Sequence, residues 1–148
     1  MQMAKAQEIL RNALVLAGGY YLSTWLVAPF WFLVGPWTNR GGHPIWVSTL
    51  VGLVPALIAS AAAGFAVGVA LETARPGVWA LGFGALVAGM RWMSWRWHLP
   101  PDWTDRARQA IAALNPAAAA IAGVFVGRRY ATARSRTSQS GAASEAGG

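Results

Sequence analysis

The chain has 148 residues, of which 55% are hydrophobic and only 11% charged. Soluble domains carry about a quarter charged residues, so the supply here is too small to cover a water-facing surface. A disordered chain, a disulfide scaffold and an ordinary soluble enzyme are excluded; with nine Trp and a mean hydropathy of +0.39, the composition points to a membrane protein.

The net charge of +7 comes from 12 basic and 5 acidic residues, and every base except Lys5 is arginine. These arginines flank apolar segments and form no basic face of their own. They read as topology signals and lipid headgroup contacts, and no nucleic-acid partner is expected. Without cysteine there is no thiol nucleophile and no Cys-based zinc site.

Four uncharged stretches predict an all-α integral membrane four-helix bundle. Ala13 to Gly35 and Ile45 to Leu71 exceed the roughly 20 residues needed to cross a hydrocarbon core of about 30 Å. The first is too long for the apolar core of a signal peptide and lacks a small-residue cleavage motif, so it is expected to remain as a membrane helix. Pro76 to Met90 is short, about 22 Å of helix, and reaches Trp97 only if Arg91 snorkels toward the headgroups. Gln109 to Gly127 is long enough but rich in alanine, with Asn115 and Pro116 in its middle. Helices are predicted near 10–36, 45–71, 76–97 and 106–127. They follow a cytoplasmic segment 1–12 and make 13–127 the transmembrane domain. Residues 128–148 lack an apolar period and read as a disordered, basic cytoplasmic tail.

In a four-pass arrangement, Lys5, Arg11, Arg75, Arg128, Arg129, Arg134 and Arg136 share one side. The positive-inside rule then places both termini in the cytoplasm of a bacterial-type cell, with the chain in its inner membrane. Trp31, Trp37, Trp46, Trp92, Trp95, Trp97 and Trp103 all fall at the opposite face.

Small residues recur every fourth position: Gly52, Ala56, Ser60, Gly64 and Gly68 in the second segment, and Ala80, Gly84 and Ala88 in the third. Ala85 and Gly89 form a parallel row, and Ala119, Gly123 and Gly127 follow in the fourth segment. Such spacing lets helix backbones approach closely, either inside the bundle or against a partner. Pro29, Pro55 and Pro116 interrupt three helices, while Pro44 and Pro76 sit at helix starts, where a missing N–H costs nothing. Asn115-Pro116-Ala117 repeats the aquaporin triplet once, in a chain without the surrounding pattern, so a helix cap and kink explain it. Asn115 is also placed to hydrogen-bond across the bundle. Segments one and two do not match segments three and four beyond a shared aromatic flank.

The densest local feature is Arg91, Trp92, Trp95, Arg96 and Trp97, continued by Trp103. Arg91 and Trp95, and Trp92 and Arg96, lie one helical turn apart, a spacing that suits cation–π contact. The patch serves as a contact for an anionic headgroup or partner, or as an interfacial anchor. His43 and His98 lie in separate loops, and no carboxylate falls at mid-membrane depth. The sequence therefore predicts no enzyme, cofactor or metal. It predicts a protein that acts by helix packing, with itself as a homo-oligomer or as an accessory subunit of a larger membrane complex. The alternative is an oligomeric channel, holin-like pore or small-solute transporter.

Overall fold

The computed structural model describes residues 2–38, 45–96 and 103–146. Its described residues form four helices: α1 (Gln2–Thr38), α2 (Ile45–Ala70), α3 (Pro76–Arg96) and α4 (Trp103–Ala146). None is appreciably amphipathic. Apolar stretches without a polar face belong in a large core or a bilayer, and a chain this small has no large core. Three of them carry stretches long and apolar enough to cross a membrane: Lys5–Phe30, Leu50–Ala70 and Gln109–Arg136. In α3, the apolar run is closed by Arg91.

The packing is inverted relative to a soluble bundle. Much of the buried interior is small, including Ala56, Ala59, Ala63, Ala80, Ala113, Ala117 and Ala120, with Phe83, Leu71, Val67, Val87 and Val124 filling the centre. Large side chains such as Trp25, Phe32, Leu81 and Leu114 face outward. Lipid solvates these as well as a protein core would, so hydrophobicity cannot drive the helices together. Close contact between small residues does so instead.

The closest approach joins α2 to α4. A Cβ added at Gly64 would overlap the Ala120 carbonyl oxygen, and one at Gly68 the Val124 carbonyl oxygen. Reciprocally, Gly123 and Gly127 lie against the carbonyl oxygens of Ala61 and Phe65. Residue numbers rise together along both partners, so α2 and α4 run parallel with glycines facing backbone on each side. Between α3 and α4, Gly84 lies against the Ile121 side chain and the Ala117 carbonyl. Gly19 of α1 receives Val67 and the Phe83 ring. Thus α1 rests mainly on α2, α3 mainly on α4, and the two hairpins join through α2 and α4.

That pairing exposes a correspondence hidden in the linear sequence. At one constant offset, Ala59, Ala61, Ala63, Gly64, Val67 and Gly68 match Ala118, Ala120, Ala122, Gly123, Val126 and Gly127. At the same offset, Thr73-Ala74-Arg75 matches Thr132-Ala133-Arg134. The match is confined to α2 and α4 and the residues that follow each. The α2 and α4 prolines, Pro55 and Pro116, fall two positions out of step with it.

The structure corrects two expectations. First, α1 begins at Gln2 and not near residue 10, because residues 2–12 contain neither proline nor glycine to halt a helix. Second, the segment past Arg128 is not a disordered tail: α4 continues to Ala146. No proline or glycine occurs from Arg128 to Ser140, and alanine and arginine favour helix. The Thr132 hydroxyl donates to the Arg128 carbonyl at 3.0 Å and the Ser135 hydroxyl to the Thr132 carbonyl at 2.9 Å, which keeps these polar groups compatible with the turn. Pro55 and Pro116 lie inside their helices and Pro76 opens α3, as expected; α1 runs through Pro29. Pro44 lies outside the described residues.

Replacing Gly64 with Leu should destabilise the protein by about 3 kcal/mol or more, since the obstacle is backbone and cannot rotate away. Gly18→Ala, where nothing lies within 4 Å of the added carbon, should leave stability unchanged. Thermal unfolding in mild detergent followed by circular dichroism distinguishes the two.

Candidate functional site

The described polar contacts between separate helices concentrate at one end of the bundle. There α2 ends at Ala70 and α3 begins at Pro76. A helix C-terminus leaves carbonyls without partners and carries partial negative charge. Two guanidinium groups, from different helices, bond the carbonyls of the three residues that follow the helix. Arg128 of α4 donates from Nη1 to the Leu71 carbonyl at 2.5 Å and from Nη2 to the Thr73 carbonyl at 3.3 Å. Arg11 of α1 donates from Nη2 to the Glu72 carbonyl at 2.9 Å, and its Nη1 pairs with Glu72 Oε2 at 2.5 Å. The Thr73 hydroxyl accepts the Arg75 backbone N–H at 3.2 Å and shapes the turn. Arg11, Glu72, Thr73 and Arg128, with Glu8 and Ala74, line an open cleft. Sequence alone gives Arg11 and Arg128 a topological role only. Their capping role follows from the position of the α2 terminus, which only the fold reveals.

The two arginines differ in strength. The Arg11 and Glu72 side chains are 48% and 73% exposed, so water and salt screen their attraction to below about 1 kcal/mol. Arg128 is half-buried and bonds to backbone, where charge-assisted bonds contribute about 1.5–3 kcal/mol. Beside them, Asn12 of α1 is fully buried with neither its amide nitrogen nor its oxygen hydrogen-bonded. Ser60 Oγ, within the α2 ridge, is likewise buried and unpartnered.

At the other end, the aromatic and basic collar is described in part. Arg91 is half-buried. It therefore turns partly into the bundle. Trp92 is exposed. Trp95 and Arg96 complete α3 and Trp103 opens α4, but the Arg91–Trp95 and Trp92–Arg96 pairings fall outside the described side chains. Trp97, His43 and His98 lie outside the described residues. Among the described residues no group of three His, Cys, Asp or Glu side chains converges.

The small-residue ridge is distributed differently from a free docking stripe. Ala56, Ser60, Gly64 and Gly68 are buried, with Gly64 and Gly68 against α4, and Gly52 is half-buried. Ala80 and Gly84 are buried and Ala88 is half-buried. The second α3 row is free: Ala85 and Gly89 are exposed, and Gly89 has nothing within 4 Å. Asn115 does not reach across the bundle. It is exposed on the outer face of α4, because Pro116 and Ala117 occupy the inward positions of that turn.

Compared with known proteins, the chain matches no family model, and neither a curated protein nor a solved structure shows similarity to it.

Arg128→Ala should cost about 2 kcal/mol in detergent, whereas Glu72→Gln should cost less than about 1 kcal/mol, a loss that disappears in high salt. Asn12→Leu, of similar shape but without an unpaired amide, should raise stability by about 1 kcal/mol. Denaturation midpoints at low and high ionic strength check all three.

Proposed function

We propose that the protein is a non-enzymatic inner-membrane component that works by association in the bilayer, with a second copy or with a larger membrane complex. The observation that carries this reading is the division of small residues between two kinds of surface. One set, centred on Gly64, Gly68, Gly123 and Gly127, is used up in joining the hairpins. A second set, including Gly18, Ala85, Gly89, Ala118 and Ala122, faces outward. Bulky side chains fill a lipid-facing surface at no cost, so outward small residues are where another helix can approach.

All four helices are taken to cross the membrane. For α3 the support is its length of 21 residues, about 32 Å, and the burial of Phe83 and Val87 in the common core. Both termini are assigned to the cytoplasm, since Arg11, Arg75 and Arg128 gather at one end with the basic continuation of α4. The collar of Arg91, Trp92, Trp95, Arg96, Trp97 and Trp103 is assigned to the opposite interface, in contact with lipid headgroups.

The test is purification of the full chain, tagged at native expression level, in mild detergent. Migration well above the 15.7 kDa monomer, through self-association or a co-purifying membrane protein, is the expected result. A monomer with no partner at every concentration overturns the reading. Solute flux in proteoliposomes would move the assignment to an oligomeric channel or transporter, because Phe83, Val67 and Val124 occupy the centre of a single bundle.

A further inference from the structure

The cleft beyond the end of α2 holds charges of both signs. Its ionisable lining is Glu8 and Arg11 of α1, Glu72 of the turn and Arg128 of α4, around a space of about 630 Å³. That volume lies within the range of small-ligand sites, about 300–1,000 Å³. Two cations and two carboxylates leave the lining without net charge, so neither a bare anion nor a bare cation matches it.

The donors and acceptors are unequally spent. A guanidinium has five N–H groups. Arg11 places Nη1 on Glu72 Oε2 and Nη2 on the Glu72 carbonyl, and Arg128 places its two Nη atoms on the Leu71 and Thr73 carbonyls. Each arginine keeps further N–H donors, and its bonds to backbone already hold it in position, which lowers the cost of ordering it for a ligand. Glu72 is paired with Arg11, whereas Glu8 is exposed and makes no ion pair among the described residues. The cleft thus offers guanidinium donors to an anion and one unspent carboxylate to a cation. Glu8 and Arg11 lie three residues apart on α1, which sets their Cβ atoms about 5–6 Å apart. A matching ligand carries both charges, a few bonds from each other.

The depth of the cleft indicates the source of such a ligand. Arg11 is the last charge before the uncharged stretch of α1, and Arg128 is the first after that of α4. The apolar span of α2 ends at Ala70, directly before the turn. Three apolar runs are therefore bounded at one level, which in a bilayer is the level of the lipid headgroups. Basic pockets between membrane helices at that depth suit lipid phosphates; here carboxylates share the lining. A phosphate diester joined through two carbons to a primary ammonium has the required pair of charges. Its oxygens accept from the arginines, and its ammonium donates to Glu8. An anionic headgroup without the ammonium leaves Glu8 unmatched, and a quaternary ammonium has no N–H to donate.

We propose that this cleft binds the phosphoethanolamine headgroup of a membrane lipid, with Arg11 and Arg128 on the phosphate and Glu8 on the ammonium. The proposal goes beyond association in the bilayer and needs only that the apolar spans cross it, so a protein that proves monomeric leaves it standing.

The test titrates the full chain, delipidated in mild detergent, with phosphatidylethanolamine, phosphatidylglycerol or phosphatidylcholine of matched acyl chains. The rise in melting temperature gives each apparent affinity. Phosphatidylethanolamine should bind about fivefold more tightly than either other lipid, the scale of one exposed charge-assisted contact. Glu8→Ala should bring that ratio close to one, and Arg11→Gln should weaken binding of all three lipids. Arg136→Gln, at an exposed position outside the cleft, should change neither. The comparison of lipids on the unaltered chain stands without any variant. Equal affinity for phosphatidylethanolamine and phosphatidylcholine, tightest binding of phosphatidylglycerol, or a preference that survives Glu8→Ala overturns the proposal. Water-soluble glycerophosphoethanolamine should bind far more weakly than the lipid; binding as tight as the lipid's makes the ligand a soluble phosphoester and overturns the lipid assignment.

Discussion

The structure depends on the backbone contact between α2 and α4. In water, two helices can be held by burying leucine and phenylalanine, with a tolerance of an ångström or so in their separation. In lipid that driving force is absent, and attraction comes from contacts that vanish if the backbones stand apart. Four glycines, Gly64 and Gly68 against α4 and Gly123 and Gly127 against α2, reduce the separation until each meets the partner's carbonyl oxygens. Everything else is placed relative to that contact. It sets α1 and α3 on the flanks of the pair, centres Phe83 and Val67 between them, and turns the large side chains outward.

The same contact determines the chemistry at the end of the bundle. Because α4 runs parallel to α2 in close register, its first arginine past the apolar stretch arrives at the level where α2 runs out of hydrogen-bond partners. Arg128 thereby caps a helix to which it is not joined. Arg11, from the antiparallel α1, reaches the same turn from the other side. A cation near a helix C-terminus is favourable in any protein. Here it also ties α1 and α4 to the turn that follows α2.

Much of the organisation was legible in the sequence. The helix positions followed from charge-free length, and Pro76 marked the start of α3 because its missing N–H belongs there. The four-residue spacing of Gly52 through Gly68 announced a close helix contact. Other features were not legible. Spacing shows that a ridge exists but not which helix covers it, since a second copy and α4 present the same alanine and glycine chemistry. Asn115 looked suited to an inward bond; the direction of Pro116 and Ala117 into the core leaves it outside. Low apolar content past Arg128 reads as disorder, whereas continuous helix propensity after an anchored segment suffices to extend α4 to Ala146.

By itself, then, the sequence determined that this chain carries helices apolar enough for a membrane, where α2 and α3 begin, and that some helices must meet through small residues. Those properties depend on local composition and period, which a linear string contains in full. The tertiary structure decided which small-residue face meets which, that Arg11 and Arg128 cap α2, and that Asn115 and its neighbouring alanines remain on the outside. These are properties of the relative rotation of helices. That rotation is set by the sum of many weak contacts across distant parts of the chain, and no single segment encodes it.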